Sequence, residues 1–125
     1  MAESFSISGI HHVTLVVGDL EAARAFYGKI LGLVPIDRPN YEFEGAWYAC
    51  GDIELHLLLA EEHADPSRRH LAIAVDKHFD ECITSLQCAG VGIVGGPGVR
   101  PHNSRSFAFC KDPAGNLLEL SGPPK

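Results

Sequence analysis

A two-fold internal repeat constrains the fold of this 125-residue chain more than any other feature of its sequence. His12 opens an alternating apolar run that leads into a helical pattern, and His70 opens a second run of the same kind. The tripeptide Ile-Glu-Leu at residues 53–55 returns as Leu-Glu-Leu at residues 118–120. A period near sixty residues predicts two copies of one supersecondary unit. Because each copy has a histidine early and an acidic residue late, pairing the copies could bring four metal-ligating side chains together.

The size and composition of the chain predict one globular domain over residues 1–125. Its 46% hydrophobic and 21% charged residues are typical of such a domain, and its length allows a real core. We expect the first module at about residues 8–60 and the second at about residues 69–122. A formal net charge of −6 argues against a nucleic acid or an anionic membrane as partner.

The sequence also bears on the compartment. No apolar run approaches the roughly 18 residues of a membrane span, and the N-terminal residues lack the basic and apolar regions of a signal peptide. The four cysteines (Cys50, Cys82, Cys88 and Cys110) form no C-x-x-C pair. We interpret them as reduced, buried packing thiols of a cytoplasmic protein, Cys82 especially because it lies on a predicted helix core face. A catalytic or metal-binding cysteine is the less favoured alternative.

The first module begins with a strand at residues 9–17, in which His12 alternates onto the face opposite the apolar residues. Asp19 is the predicted N-cap of a helix that ends at Gly32. Three further strands are predicted at residues 34–37, 43–50 and 52–59. In the last of them, Glu54 and His56 share the polar face.

The second module is predicted to repeat this order after a polar linker at residues 60–69. A strand at residues 70–75 leads to Asp76, the expected cap of a helix that Gly90 closes. The inner face of this helix is predicted to hold Phe79, Cys82, Ile83, Leu86 and Ala89. A short strand at 91–94, a loop at 95–105 and a hairpin at 106–110 and 116–120 follow, and residues 122–125 are expected to form a loose tail.

The predicted fold is α+β, with two paired β-α-β-β-β modules that form an open, cup-shaped barrel. In each module the helix covers the apolar face of a small curved sheet. The concave faces then carry His12 with Glu54 or His56 from one copy, and His70 with Glu119 from the other. A register error of one residue would exchange the two faces of a strand.

These stretches resemble the vicinal oxygen chelate superfamily, which includes glyoxalase I, fosfomycin-resistance enzymes, methylmalonyl-CoA epimerase, extradiol dioxygenases and bleomycin-resistance proteins. The resemblance implies the glyoxalase-like fold, a small-molecule substrate and a homodimer, in which some members complete the metal site across the two chains. The matching stretches are residues 10–20 (IHHVTLVVGDL), 26–27 (FY), 31–33 (LGL), 53–57 (IELHL), 69–76 (RHLAIAVD) and 109–120 (FCKDPAGNLLEL).

The resemblance also implies a ligand set for one divalent metal. His12 and His70 match the first-strand ligands of the two modules, and Glu119 matches the carboxylate of the last strand. Glu54 matches the remaining ligand of small bacterial glyoxalase I enzymes, and His56 competes with it for that role.

The chemistry of these residues points the same way. Two imidazoles with one or two carboxylates suit Zn, Ni, Co, Mn or Fe(II), and leave positions for a bidentate substrate. His70 alone would be better explained as a hydrogen-bonded strand histidine. Together with His12 and Glu119 at repeat-related positions, it favours a metal site, because an unpaired carboxylate on a buried face would be costly.

Three classes of function remain open from the sequence. The favoured one is a glyoxalase-like lyase or isomerase, in which Glu119 or Glu54 moves a proton next to a carbonyl. The first alternative is an Fe(II) extradiol-type dioxygenase built on His12, His70 and Glu119. The second is a non-catalytic drug-binding resistance protein. Thiol transfer to fosfomycin has no supporting motif.

Several other residues are candidates for lesser roles. His11 is predicted to be a satisfied core or edge histidine, whereas exposed positions are predicted for His63, His78 and His102. Ordinary packing competes with a place in the cleft for Phe43, Trp47 and Tyr48. A contact with an anionic substrate group competes with simple solvation for Arg38, Arg100 and Arg105.

Overall fold

A computed structural model describes residues 4–61 and 67–124 of the chain. It confirms the predicted order of elements, β-α-β-β-β, in both halves. The first half contains β1 (His12–Val17), α1 (Leu20–Arg24), which continues as a π-helical segment (Ala25–Ile30), β2 (Val34–Ile36), β3 (Gly45–Cys50) and β4 (Ile53–Leu59). The second half contains β5 (Leu71–Ala74), α2 (Phe79–Cys88), β6 (Ile93–Val99), β7 (Arg105–Lys111) and β8 (Leu117–Pro124).

Each half forms its own four-stranded mixed sheet. The strand orders are β1-β4-β3-β2 and β5-β8-β7-β6, so the first strand of each module lies at a sheet edge, parallel to the last strand. Within the described residues no strand of one sheet pairs with a strand of the other, and the chain does not form a closed barrel. The register places His12 opposite Glu54, and Ala72 opposite Glu119.

The two sheets share a continuous core. Leu55 and Leu57 of β4 are buried together with Leu118 of β8, and Ile30 and Leu31 pack against the core residues of both modules. These leucines alternate along their strands with Glu54, His56 and Glu119. The polar side chains therefore lie on the sheet faces that point away from the core.

A buried hydrogen bond fastens one module to the other. The hydroxyl of Tyr27, which is fully buried, donates to Asp112 Oδ2 at 2.7 Å. Asp112 also accepts from the backbone of Ala114 and from Asn116, whose side chain donates to the Val16 carbonyl of β1 at 3.0 Å. Burial and the neighbouring Asp112 carboxylate raise the pKa of Tyr27 well above its usual value. We call the hydrogen-bonded group of Tyr27, Asp112 and Asn116 the inter-module clasp.

The two helices begin differently. The Asp19 side chain accepts from the Ala22 N–H at 3.0 Å, which confirms the predicted cap of α1. The prediction that Asp76 caps α2 is wrong, because α2 starts after His78, which is left-handed at φ 59° and forms no side-chain cap. The backbone of Val75 still pairs with Ser121, so the chain needs additional residues to turn from strand to helix.

The glycine-rich stretch of the second module is part of a strand. Residues 95–98, predicted as a loop, belong to β6, and the register shifts twice along this strand. A Cβ at Gly95 or Gly98 would meet the rings of Phe109 and Phe107 at 3.2 and 3.0 Å, so glycine lets β7 place these rings across β6. The loop shortens to residues 100–104.

The predicted tail is also strand. Residues 122–124 complete β8, in which Pro124 lies opposite Arg105, and Gly122 is buried against the Phe79 ring. Lys125 lies outside the described residues. On α2, Phe79, Ile83 and Leu86 are buried as predicted, but Ala89 is exposed.

The four cysteines are free thiols. Cys110 is fully buried, which raises its pKa from 9.0 to about 11, while Cys50 and Cys82 are partly buried. These three fit the prediction of packing thiols, whereas Cys88 is exposed and does not. No helix in the described part of the chain has the length and apolar character needed to cross a membrane.

Candidate metal and substrate site

The candidate ligands of the first module lie in one group with Trp47, which we call the first cluster (His12, Trp47, Glu54 and His56). The pairing of β1, β4 and β3 places these side chains on one face of the sheet. The His56 ring is stacked between the rings of His12, at 4.1 Å, and Trp47, at 4.0 Å. His56 is consequently only 7% exposed.

The contact between His56 and Glu54 gives the two residues different accessibility. Because a carboxylate only accepts, His56 Nε2–H donates to Glu54 Oε1 at 2.8 Å. The Glu54 side chain is 34% exposed, against 9% for the His56 side chain. Glu54 is thus the more accessible of the two competing ligand candidates, and His56 orients it.

His11 contacts the first cluster from solvent. It is exposed, and its Nδ1 lies 2.8 Å from His12 Nδ1. Of the two predicted positions, the core is therefore wrong, whereas the edge fits, because His11 directly precedes the edge strand β1. When His12 donates in this bond, its Nε2 keeps a free lone pair. In the sequence, only the adjacency of the two histidines indicates this contact.

The candidate ligands of the second module lie together with Arg100 in the second cluster (His70, Arg100 and Glu119). His70 Nε2 lies 3.1 Å from Glu119 Oε1, and Arg100 Nη2 donates to Glu119 Oε2 at 3.0 Å. The Glu119 side chain is 13% exposed, so these two partners compensate the loss of its hydration. His70 Nδ1 lies 2.8 Å from the Arg68 carbonyl, which can only accept; Nδ1 therefore carries a proton.

Arg100 is held by aromatic rings as well as by Glu119. Its guanidinium lies 4.1 Å from the Phe107 ring centroid and 5.9 Å from that of Phe109. Phe109 also meets the His70 ring edge-on at 5.2 Å. The sequence suggested Arg100 only as a loop arginine, because its place beside Glu119 depends on the shifted register of β6.

The two clusters do not meet within one chain. Among residues 4–61 and 67–124, no hydrogen bond, ion pair or ring contact joins the first cluster to the second. Across the same residues, no three His, Cys, Asp or Glu side chains form a group that could hold a metal ion. A single chain therefore presents two partial ligand sets on two separate sheets.

A pocket of about 220 Å³ lies between the start of the first sheet and the edge strand β5. Val13 and Leu55 line one side of it, and the residues of β5 line the other. Glu54 is the one charged residue in this lining, so the pocket is an apolar recess that the first cluster borders.

The remaining candidates have separate positions. Tyr48 is buried in the core, so the packing alternative applies to it, whereas Phe43 is exposed and Trp47 joins the first cluster. His78 and His102 are exposed as predicted, and His63 lies outside the described residues. Arg105 begins β7.

The duplicated β-α-β-β-β unit, with a histidine and a glutamate on the outer face of each copy, defines a protein of two paired modules. The chain belongs to the Glyoxalase/Bleomycin resistance protein/Dioxygenase superfamily, whose model matches residues 9–120. This confirms the family resemblance seen in the sequence.

Curated relatives and solved structures agree with this assignment. A probable lactoylglutathione lyase of Vibrio cholerae is 30% identical over 122 residues, which cover 89% of this chain and 88% of that protein. Glyoxylase I 4 of Arabidopsis thaliana is 33% identical over 89 residues, 70% of this chain but only about half (48%) of that longer relative.

Among solved structures, a protein of Bacillus anthracis named for the glyoxalase family has a TM-score of 0.83 and 29% identity, covering 97% of this chain and 99% of its own. The fosfomycin resistance protein FosX of Listeria monocytogenes, complexed with Mn(II) and 1S,2S-dihydroxypropylphosphonic acid, also has a TM-score of 0.83, covering 94% of each chain. At 20% identity it shows a common fold only.

Proposed function

We propose that this protein is a metal-dependent, glyoxalase-like enzyme whose site is completed between two copies of the chain. The observation that supports it is the division of the candidate ligands into two clusters on separate sheets. His12 and Glu54 of one copy would join His70 and Glu119 of the other. Relatives named lactoylglutathione lyase, at about 30% identity, support this reaction class.

The donor atoms present fit a divalent cation. The Nδ1–H of His70 donates to the Arg68 carbonyl, an arrangement that orients a ligating histidine. The other ring nitrogen, Nε2, faces Glu119 Oε1 at 3.1 Å, and a metal would bind between these two atoms by replacing their direct contact. Each glutamate is likewise oriented, Glu54 by His56 and Glu119 by Arg100. A metal held by these residues would act as a Lewis acid toward two neighbouring oxygens of the substrate.

The edge strands suggest how two copies would meet. Edge strands present unpaired backbone N–H and C=O groups. Both β1, which begins at His12, and β5, which directly follows His70, are edge strands. A partner that placed its β5 beside β1 would bring the second cluster of one copy toward the first cluster of the other. Two-fold symmetry would repeat the junction and give two equal sites.

The glutamates would move the proton in the reaction. A carboxylate next to a bound 2-oxo compound can take a proton from the carbon beside the carbonyl and return it to the neighbouring carbon. Glu54 Oε2 forms no hydrogen bond to the residues that the structure describes, so it is the oxygen most available for this transfer. Arg100 and His70 would hold Glu119 in place.

A mixture of two inactive variants tests the shared site. We expect His12→Ala and His70→Ala each to lose metal and lactoylglutathione lyase activity. When the two variants are co-expressed, half of the dimers are mixed, and each mixed dimer has one intact site of two. Activity and metal content should then return to about one quarter of the wild-type values.

Three other results would change the proposal. No recovery in the mixture would place the site within one chain or elsewhere, and size-exclusion chromatography with light scattering would show whether dimers form at all. Retention of wild-type metal content by both variants would remove the ligand assignment. Strict Fe(II) dependence with O₂ uptake on catechols would support the dioxygenase alternative instead.

A further inference from the structure

A row of aromatic side chains leads outward from the first cluster. We call it the aromatic strip (Arg38, Tyr41, Phe43 and Trp47). Trp47 lies with one face on the His56 ring, and its centroid is 6.2 Å from that of Tyr41. Tyr41 and Phe43 are parallel to within 2°, with centroids 5.2 Å apart. The strip therefore connects the candidate metal ligands with the protein surface.

The outer part of the strip is both exposed and ordered by contacts. Tyr41 is 45% exposed and Phe43 is 50% exposed. The Arg38 guanidinium lies 5.1 Å from each ring centroid and donates to the Phe43 carbonyl at 2.8 Å. A parallel ring pair that is held in place but left partly open to water is a surface suited to stacking.

The charge at the strip favours particular rings. Arg38 places a positive charge beside the two aromatic faces, and its guanidinium has more N–H donors than the one used on Phe43. A flat, electron-rich ring would stack on an outer face of the Tyr41–Phe43 pair, beside a cation. An aliphatic substituent of the same substrate would gain only burial.

We propose that the aromatic strip is the subsite for an aryl substituent of the substrate. This inference rests on the proposed function, because the vicinal oxygens of the same molecule would occupy the site at His12 and Glu54. The substrate class is thus an aromatic 2-oxo or 2-hydroxy compound, with its ring stacked on the strip. Short aliphatic compounds with the same oxygens are then the weaker ligands.

Mandelate and lactate form a matched pair of probes. Both carry a hydroxyl and a carboxylate on neighbouring carbons, and they differ in a phenyl against a methyl group. Binding is measured by titration calorimetry and by the fluorescence of Trp47, the one tryptophan of the chain. We expect mandelate to bind about tenfold more tightly than lactate and to change the Trp47 emission.

Variants separate stacking from general hydrophobic binding. In the double variant Tyr41→Leu/Phe43→Leu, which keeps apolar volume but removes the rings, mandelate should bind roughly two- to tenfold more weakly, while lactate is unchanged. Val94→Ala, at a 56% exposed position outside the strip, is the control and should alter neither ligand. Equal binding of mandelate and lactate, or an undiminished mandelate preference in the double variant, would overturn the subsite.

Both titrations are carried out with zinc-loaded and with metal-free protein, so that the two proposals fail separately. The ring contacts do not involve the metal, and the preference for mandelate over lactate should persist without it. If zinc strengthens neither ligand while that preference remains, the metal-dependent function is wrong and the aryl subsite stands. If zinc strengthens the binding of mandelate and lactate equally and neither ligand is preferred, the aryl subsite is wrong and the metal-dependent function stands.

Discussion

The two clusters place a glutamate from the last strand of each module in different surroundings. Glu119 is 13% exposed and has a partner on each oxygen, one of them the guanidinium of Arg100. Glu54 is 34% exposed and is held through one oxygen by His56, which lies between two stacked rings. The two modules thus have the same residue type at this position, but its hydrogen-bond partners differ between them. Under the proposed function, the more accessible Glu54 would transfer the proton and Glu119 would serve as a ligand.

The largest effect should come from Glu54→Gln. The amide keeps the shape of the side chain but cannot accept a proton, so kcat should fall by about 10²–10⁴-fold. Metal content should fall less, because His12, His70 and Glu119 remain. Stopped-flow kinetics and elemental analysis of the same preparation measure the two effects.

Glu119→Gln is the matched variant in the second module. In this variant the metal content should fall more than in Glu54→Gln, and loss of metal should be the main cause of the lower activity. A Glu54→Gln enzyme with full turnover, or the same loss of metal in both variants, would remove the division of roles between the two glutamates.

A second prediction concerns Cys110, which lies in the core that the two modules share. Burial raises the pKa of the Cys110 thiol from 9.0 to about 11, so in this pH range the unfolded chain binds fewer protons at this position than the folded chain. The corresponding stability is complete below about pH 9 and disappears as the pH rises through about 11. A shift of this size corresponds to roughly 3 kcal/mol in the free energy of unfolding.

Urea unfolding at pH 7, 9 and 11 measures this dependence. The control is Cys110→Ala, in which the part of the alkaline loss that belongs to this thiol should be absent. An equally steep decline in the variant would assign the alkaline instability to other groups, Tyr27 first.

The third prediction compares the residues that orient each glutamate. Partners behind metal ligands typically change metal affinity or activity by about 10–100-fold when they are removed. We expect Arg100→Gln to weaken metal binding within this range, and His56→Gln to reduce kcat more than metal affinity. Competition with a chelator gives the affinity, and steady-state kinetics give kcat.

Arg105→Gln is a control for the loss of one positive charge from the same loop region. If Arg105→Gln weakens metal binding as much as Arg100→Gln does, the cause is long-range electrostatics and not the contact of Arg100 with Glu119.

Local patterns explain what the sequence predicted well. The strand alternation placed Glu54 and His56 on one face and Leu55 and Leu57 on the other, because the period of a strand is fixed by its backbone. Asp19 caps the start of α1 as predicted, and the left-handed Gly32, at φ 75°, follows the π-helical segment that continues α1. Both ends could be predicted because capping depends on a few adjacent residues. The order of elements followed from these signals and from the repeat.

Contacts between distant segments explain what the sequence could not give. Helix α2 begins later than the predicted cap at Asp76, because the backbone of Val75 still pairs with Ser121, a residue far along the chain. Arg100 reaches Glu119 because the rings of Phe107 and Phe109 lie across the glycines of β6. The separation of the two clusters likewise depends on how the sheets pack on their common core, which the pattern of a single strand does not specify.

The smallest predicted effect concerns the inter-module clasp, which joins the two modules that carry the clusters. Tyr27→Phe removes the donor to Asp112 and leaves the other donors to that carboxylate, Ala114 and Asn116, in place. Hydrogen bonds to charged groups contribute about 1.5–3 kcal/mol, and the remaining donors argue for the lower end of that range. Tyr48→Phe is the matched control, since Tyr48 is also buried, at 3% exposure, but lies outside the clasp. The two variants should therefore differ by about 1.5 kcal/mol in urea unfolding at pH 7. Equal stabilities would mean that apolar packing alone holds the modules together.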